Sequence, residues 1–247
     1  MAEERLIPFN ENVPAAELGQ AYAYAQPKGL TAEVIRPEWV SRHKANTGYL
    51  YAKRAFDLVS SLCLLAVIWP IFAAIALAIK LDSKGPVFFM HKRVGQNGKP
   101  LRLYKFRSMV TNAQDLIGSF TPEQKKEWEE NYKLTSDPRI TKVGNFLRKT
   151  SLDELPQLLN ILQGTLSVVG PRPVIGDELE KYGSLKGKLL SAKPGLTGYW
   201  QAYARSDCDY ETRMDMELYY VDHANFIWDV RIIFATVWAV LYGKGAK

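Results

Sequence analysis

The longest uninterrupted apolar stretch runs from Leu58 to Ile79, 22 residues with no charge and only Ser60 and Ser61 polar. That length qualifies as a membrane helix. Pro70 sits in its middle, where the missing N–H removes a helical hydrogen bond and kinks or breaks the helix. Both flanks are basic, Lys53 and Arg54 before and Lys80 and Lys84 after; the positive-inside preference wants both ends on the cytoplasmic side. A helix–break–helix that dips into the bilayer and returns satisfies both facts. Its arms, about 14 and 10 residues, reach roughly 21 and 15 Å at ~1.5 Å per residue, short of the ~30 Å hydrocarbon core. A kinked spanning helix and a buried soluble helix are the alternatives.

Downstream the period changes. Gly85-Pro86 predicts a turn, Phe88-Phe89 opens a short strand, and Gly95-Gln-Asn97-Gly98-Lys99-Pro100 predicts the turn of a hairpin. In the return run, alternation puts Leu101, Leu103, Lys105, Arg107 and Met109 on one side, opposite Arg102, Tyr104, Phe106 and Ser108. Lys105 and Arg107 therefore share a face, as solvated edge charges or as ligands. Thr121 and Pro122 predict the cap and first position of a surface helix reaching Leu134. Leu152, Leu155, Leu158, Leu159 and Leu162 recur at helical spacing. They predict a buried face behind a Ser151/Glu154 capping pattern, with Pro156 in the first turn. Leu166–Val169 reads as a strand ending at Gly170-Pro171-Arg172-Pro173, and Glu178–Leu190 as a surface helix. Lys193–Gln201 is turn-rich and aromatic, Arg205-Ser206 follows, and a helical run contains Arg213, Asp215 and Tyr219. Ile227–Tyr242 closes the chain as an interfacial or a core helix.

Residues 1–48, with Pro8, Pro14, Pro27 and Pro37 and little periodicity, predict an irregular extension with one short helix near 37–44. No basic segment leads into an apolar one there, so no secretory signal is read. The organisation expected is an extension (1–48), a membrane helix (49–84) and a small catalytic domain (85–247) with interfacial helices. Strands and helices mix in that domain, which makes the class α+β and membrane-associated.

Composition sharpens this only locally. The 247 residues carry 32 basic and 26 acidic side chains, a formal charge of +6. Ser83–Gln114 holds seven Lys or Arg and no acid, a block suited to phosphorylated substrate, anionic lipid or nucleic acid. Two cysteines make no disulfide framework and point to a reducing compartment. The three histidines are far apart, which argues against zinc. Walker A, G-x-G-x-x-G and G-x-S-x-G motifs are absent, which weakens the ATPase, Rossmann and serine-hydrolase classes.

The candidate chemistry lies in Asp153-Glu154. An acidic capping turn is the bland reading, but Arg148 and Lys149 precede the pair and Arg172 follows. A helix N-terminus favours negative charge, its own or a phosphate's. Prolines on both sides fix the backbone of Arg172, whose planar fork suits bidentate phosphate binding.

Lys53-Arg54-x-Phe-Asp57, Gly85-Pro86-Val, Arg93-Val-Gly95 and Lys105-Phe-Arg107-Ser-Met109 occur in order with Asp137-Pro-Arg-Ile-Thr-x-x-Gly144 and Leu147-Arg148-x-x-Ser-Leu-Asp153-Glu154-Leu-Pro-Gln-Leu. Asn160, Gly164, Ser167-x-Val-Gly-Pro-Arg172-Pro and Lys193-Pro-Gly-x-Thr-Gly198-x-Trp-Gln201 complete the set. This ordered pattern resembles the bacterial sugar transferases, monotopic phosphoglycosyl transferases that act on polyprenyl phosphate. The resemblance runs from Lys53 to the C-terminus. Longer members carry several transmembrane helices first, so the polar extension here predicts the compact catalytic form. Some members break the re-entrant helix at Ser-Pro; Trp69-Pro70 keeps only the proline.

The resemblance implies that a UDP-sugar donates sugar-1-phosphate to polyprenyl (undecaprenyl) phosphate, with release of UMP. That is the first membrane step of surface-polysaccharide, exopolysaccharide or glycoconjugate assembly. It implies Mg²⁺ contacted by Asp153 and Glu154, a covalent phosphosugar on Asp153, and Glu154 as base or second metal contact. Lys105, Arg107, Arg148 and Arg172 are expected to hold phosphates, Thr197 and Gln201 to shape the pocket, and Asp215 and Asp229 to support it. Location at the cytoplasmic face of the inner membrane is expected, with no nucleic acid partner. The rivals are a membrane-attached basic module that binds anionic lipid or nucleic acid, and a phosphohydrolase.

Overall fold

The computed structural model describes residues 47–131, 134, 136–204 and 208–241. The short helix expected near 37–44 and the Arg205-Ser206 pair lie outside them.

The apolar run forms α1, Thr47–Asp82, 36 residues of continuous helix with Pro70 inside it. The break expected at Pro70 does not end the helix; the missing N–H costs one backbone hydrogen bond and leaves a point at which α1 can bend. At ~1.5 Å per residue α1 is about 54 Å long. It is long and apolar enough to cross a membrane, and little of it is buried. Before Pro70 it packs Leu65 and Ile68 against Leu101, Leu103, Leu158, Ile161 and Leu166. After Pro70 it packs Phe72, Ile75 and Ile79 against Phe106 and Leu147. Polar ties secure both ends: Lys53 pairs with Asp229, and Asp82 accepts from the N–H of Val143. The opposite face, including Val59, Leu62, Val67, Trp69, Leu77 and Leu81, is exposed. One body thus holds both ends of α1.

The predicted hairpin is present as β1 (Phe88–Val94) and β2 (Pro100–Phe106), antiparallel with Phe88 opposite Phe106 and Val94 opposite Pro100. Its turn places Asn97 and Gly98 at positive φ, 56° and 73°, a conformation these residue types tolerate. The alternation holds for Leu101 and Leu103 and then fails: Phe106, Arg107, Ser108 and Met109 are all buried. Here α1 and α3 (Lys142–Lys149) enclose the chain. Gly144 of α3 lies so close that a Cβ there would stand 2.0 Å from the Ser108 carbonyl oxygen.

Helix α2 (Pro122–Asn131) starts as predicted. The Gln124 N–H donates to Thr121 Oγ1, and the Thr121 N–H donates to Gln124 Oε1. After α3 come α4 (Gln157–Gln163) and the strand β3 (Ser167–Val169). The expected surface helix 178–190 is instead two short helices, α5 (Gly176–Glu180) and α6 (Lys186–Ser191). Gly183, at φ 50°, separates them. They are not superficial, since Leu179, Tyr182, Leu189 and Leu190 pack with Val174 and Leu218. At about 1.5–3 kcal/mol per buried side chain, that cluster outweighs the propensity for one straight exposed helix. The crossover ends in β4 (Gly195–Thr197), parallel to β3. A Cβ on Gly195 would lie 2.1 Å from the Gly170 nitrogen, so glycine permits the contact that aims the Gly170-Pro171-Arg172 turn. Helices α7 (Tyr199–Tyr203), α8 (Tyr210–His223) and α9 (Phe226–Leu241) complete the domain. On α9, Asp229 and Ile232 are buried, whereas Ile227, Phe234 and Trp238 are exposed. The mixed helix-and-sheet fold agrees with the α+β class.

Candidate active site

The acidic pair lies in the short link between α3 and α4. Helix α3 is capped by Thr141, which accepts from the Gly144 N–H, and stops at Thr150. Ser151 then adopts a left-handed conformation, φ 58°, and its side chain caps nothing. The capping box read from Ser151 and Glu154 does not form. Instead Leu152–Glu154 make a tight 3-10 turn, and Pro156 precedes the first residue of α4. Only part of the predicted leucine face is core: Leu158 is buried, Leu152, Leu155 and Leu162 are half-buried and Leu159 is exposed, whereas Ile161, outside that set, is fully buried.

Glu154 is taken up by a side chain far away in sequence. Lys105 Nζ donates to Glu154 Oε1 at 2.6 Å and stands 3.9 Å from Asp153 Oδ2. The alignment of β2 with α4 comes from Asn160, which is buried. It donates to the Arg102 carbonyl at 2.7 Å and accepts from the Tyr104 N–H at 2.9 Å. That clamp leaves Lys105, the next residue, aimed at the acidic turn. Asn160 entered the family pattern without a role; the available signal was one polar residue inside the apolar run Leu158–Leu162. At its other end α4 is held by Arg54, which donates to the carbonyls of Ile161 (2.6 Å) and Leu162 (2.8 Å). The guanidinium thereby satisfies acceptors that a helix end leaves open.

Asp153 is buried. Burial pushes its carboxyl above the ordinary 3.8; Lys105 and Arg148 pull the other way, and Glu154 adds to the rise. Burial also opposes ionisation of Glu154, but its contact with Lys105, aided by Arg172 and Arg93, brings its carboxyl below the ordinary range. Adjacent carboxylates therefore differ in their hold on a proton, one pulled up and the other down. Arg148 Nε donates to Ser108 Oγ at 2.9 Å, and its remaining donors make no ion pair among the described residues. Lys105, Arg148 and Arg172 all act electrostatically on the acidic turn.

The other candidates are elsewhere. Arg107 is buried and its donors are spent on the Pro86 and Ser83 carbonyls and Ser83 Oγ, at 2.6–2.8 Å. It locks the exit of α1 rather than presenting a cation beside Lys105, because the alternation that paired them ends at Phe106. Thr197 Oγ1 meets Thr236 Oγ1 at 2.7 Å, a contact between β4 and α9. Gln201 donates to the Leu196 carbonyl at 3.1 Å. Asp215 is exposed on α8. Asp229 is buried in a network with Lys53 Nζ (2.6 Å), Tyr220 OH (2.6 Å) and Tyr49 OH (2.9 Å). Its support is of α1, not of the acidic pair.

Among the described residues no three His, Cys, Asp or Glu side chains gather as a metal centre. Asp153 and Glu154 offer two hard oxygen donors. That set fits Mg²⁺, which takes one or two carboxylates and fills its shell with phosphate oxygens and water.

Known proteins resemble the chain over most of its length. The sequence profile described as "Bacterial sugar transferase" matches residues 48–243. The chain is 43% identical over 210 residues to the undecaprenyl-phosphate galactose phosphotransferase of Salmonella typhimurium, covering 84% of this chain and 44% of that protein. It is 38% identical over 244 residues to the UDP-galactose-lipid carrier transferase of Erwinia amylovora, covering 98% of this chain and 50% of that one. It is 43% identical over 198 residues to the exopolysaccharide production protein ExoY of Rhizobium meliloti, covering 79% and 88%. The chain thus spans about half the length of the first two.

Proposed function

The chain belongs to the bacterial sugar transferase family, and from that premise we propose that it moves sugar-1-phosphate from a UDP-sugar to polyprenyl phosphate. The observation that carries the reading is the Lys105–Glu154–Asp153 arrangement beside Arg148 and Arg172. Similar proteins are named for undecaprenyl phosphate and for a UDP-galactose donor.

In the proposed route an oxygen of Asp153 attacks the sugar-bearing phosphorus of the donor. The bond from that phosphorus to the bridging oxygen breaks and UMP departs. An oxygen of polyprenyl phosphate then attacks the same phosphorus, the bond to Asp153 breaks, and polyprenyl-diphospho-sugar forms. A carboxylate nucleophile divides one displacement into two. Lys105 helps Asp153 to be ionised and holds Glu154 charged. Arg148 and Arg172 supply fixed positive charge toward the phosphates, where preorganised cations lower the barrier most. Mg²⁺, held by Asp153 and Glu154, would neutralise charge on the diphosphate.

The acceptor's tail stays in lipid while its headgroup sits at the interface. A bend at Pro70, together with the docking of both ends of α1 on one body, supports a helix that enters and leaves from one side, with the domain on the cytoplasmic face of the inner membrane. The exposed apolar faces of α1 and α9 are where lipid would contact it.

The test is an assay of purified protein with polyprenyl phosphate and a panel of UDP-sugars. UMP release that requires the lipid is the expected result. Lipid-independent release would point to hydrolysis, and no release with any donor would overturn transfer in favour of a binding module.

A further inference from the structure

A second cationic cluster adjoins the acidic turn. Arg93 at the end of β1, Arg172 after β3 and Arg213 on α8 converge on Glu178 of α5 and Trp200 of α7. Arg93 Nη1 donates to Glu178 Oε2 at 3.1 Å, and Arg213 Nη1 stands 3.7 Å from Glu178 Oε1. The guanidinium carbons of Arg213 and Arg172 lie 4.7 and 5.5 Å from the centre of the Trp200 ring, close enough for cation–π attraction.

This grouping is expensive as it stands. Arg93 Nε and Arg213 Nη2 are buried donors with no hydrogen-bond partner among the described residues. Buried donors normally find acceptors, and each orphan costs stability. Two carboxylates, Glu178 and Glu217, pair with Arg93 and Arg213; Arg172 has no ion pair among the described residues. Burial and the neighbouring arginine charge hold Arg93 down at about 10. Packing alone gives no reason to gather three arginines so short of acceptors. An incoming oxyanion would supply both the acceptors and the charge.

We propose that Arg93, Arg172 and Arg213, braced by Glu178 and Trp200, bind the phosphate of the leaving nucleotide. This rests on the donor reading above and adds Arg93 and Arg213 to the site. Position favours the donor over the lipid. Arg93 lies on the hairpin whose other strand carries Lys105 to Glu154, so the cluster flanks the acidic turn, near which the second phosphorus of a diphosphate attacked by Asp153 would lie. Glu178 then has a defined part: it keeps two guanidiniums in place but competes with the phosphate for them.

That competition gives a test with two opposite signs. UMP binding to the full-length protein in detergent is measured by calorimetry for wild type, Arg213→Gln and Glu178→Gln, alongside melting temperature and KM for polyprenyl phosphate. Arg213→Gln is expected to weaken UMP by roughly tenfold or more, as loss of a charged donor to phosphate does, with KM for the lipid unchanged. Glu178→Gln keeps an acceptor for the Ile175 N–H, which Glu178 now holds at 3.2 Å, and is expected to tighten UMP severalfold. A bracing role alone predicts lower melting temperatures and no gain in affinity from Glu178→Gln. Unchanged UMP affinity in folded Arg213→Gln, or a shift confined to KM for polyprenyl phosphate, overturns the proposal. If Arg213→Gln does not fold, Glu178→Gln decides: UMP affinity unchanged or weaker refutes it. Turnover is read separately. A wild-type protein inactive with every donor sinks the transfer reading, whereas full turnover with unmoved UMP affinity sinks only this cluster.

Discussion

At the scale of residues, burial resists charge on both Asp153 and Glu154, and the contact with Lys105 reverses the balance only at Glu154. Burial raises the folded-state pKa of Asp153 above the ordinary 3.8, so over that window the folded chain keeps a proton that the unfolded chain has released. Stability therefore falls as pH rises through the window and stays lower above it. Glu154 has the opposite sign: its lowered pKa contributes stability above the ordinary range, lost as pH falls through the folded value. Asp153→Asn is accordingly expected to melt higher than wild type at pH 8, with the gain shrinking toward pH 4. It should also lose more than about 10³-fold in turnover, as nucleophile removal does elsewhere. Scanning calorimetry at both pH values and a lipid-dependent UMP assay check the pair of effects. Retained turnover would remove Asp153 from the chemistry. A lower melting point at pH 8 would contradict the burial account.

At the scale of elements, α1 is attached by buried polar contacts as well as by apolar packing. Asp57 accepts from Ser167 Oγ (3.1 Å) and the Val168 N–H (2.9 Å), so the first turns of α1 cap the start of β3. The Asp229 network ties the same end to α9. Removing one partner of a buried pair leaves the other charge stranded, at a cost of about 3 kcal/mol or more. Asp229→Ala should lose about that much in a reversible denaturant titration, while UMP affinity of the folded protein stays unchanged. Loss of UMP affinity at full stability would instead return Asp229 to the site.

At the scale of the whole molecule, the proposed re-entrant topology rests on where the two ends of α1 are held. Tyr51 and Lys84 flank the apolar stretch and are exposed. With Cys63 and Cys208 both replaced by Ser, single cysteines at positions 51 and 84 should react with an impermeant maleimide from the same side in inverted membrane vesicles. Labelling from opposite sides would refute the re-entrant arrangement and force the domain to release one end of the helix.

Much of the site was legible because its signals are local. Adjacent carboxylates, an arginine between prolines and the hairpin turn are each written within a few consecutive positions, and the apolar helix within one unbroken run of 22. Ser151–Glu154 shows where locality fails: the spacing permits a capping box, but Lys105, 49 residues away, takes the Glu154 carboxylate. A pair in which both partners are charged, in a partly buried site, outcompetes a local cap in which only the carboxylate is charged. Arg107 misled for the opposite reason, since alternation identifies a face only while the strand has an open side. The sequence by itself determined the element types, the apolar helix and the chemical identity of the acidic turn. Tertiary structure alone decided which cations reach it. Lys105, Arg148, Arg172 and Arg93 come from separate elements, and packing across the chain, not spacing along it, sets the distances on which charge interactions depend.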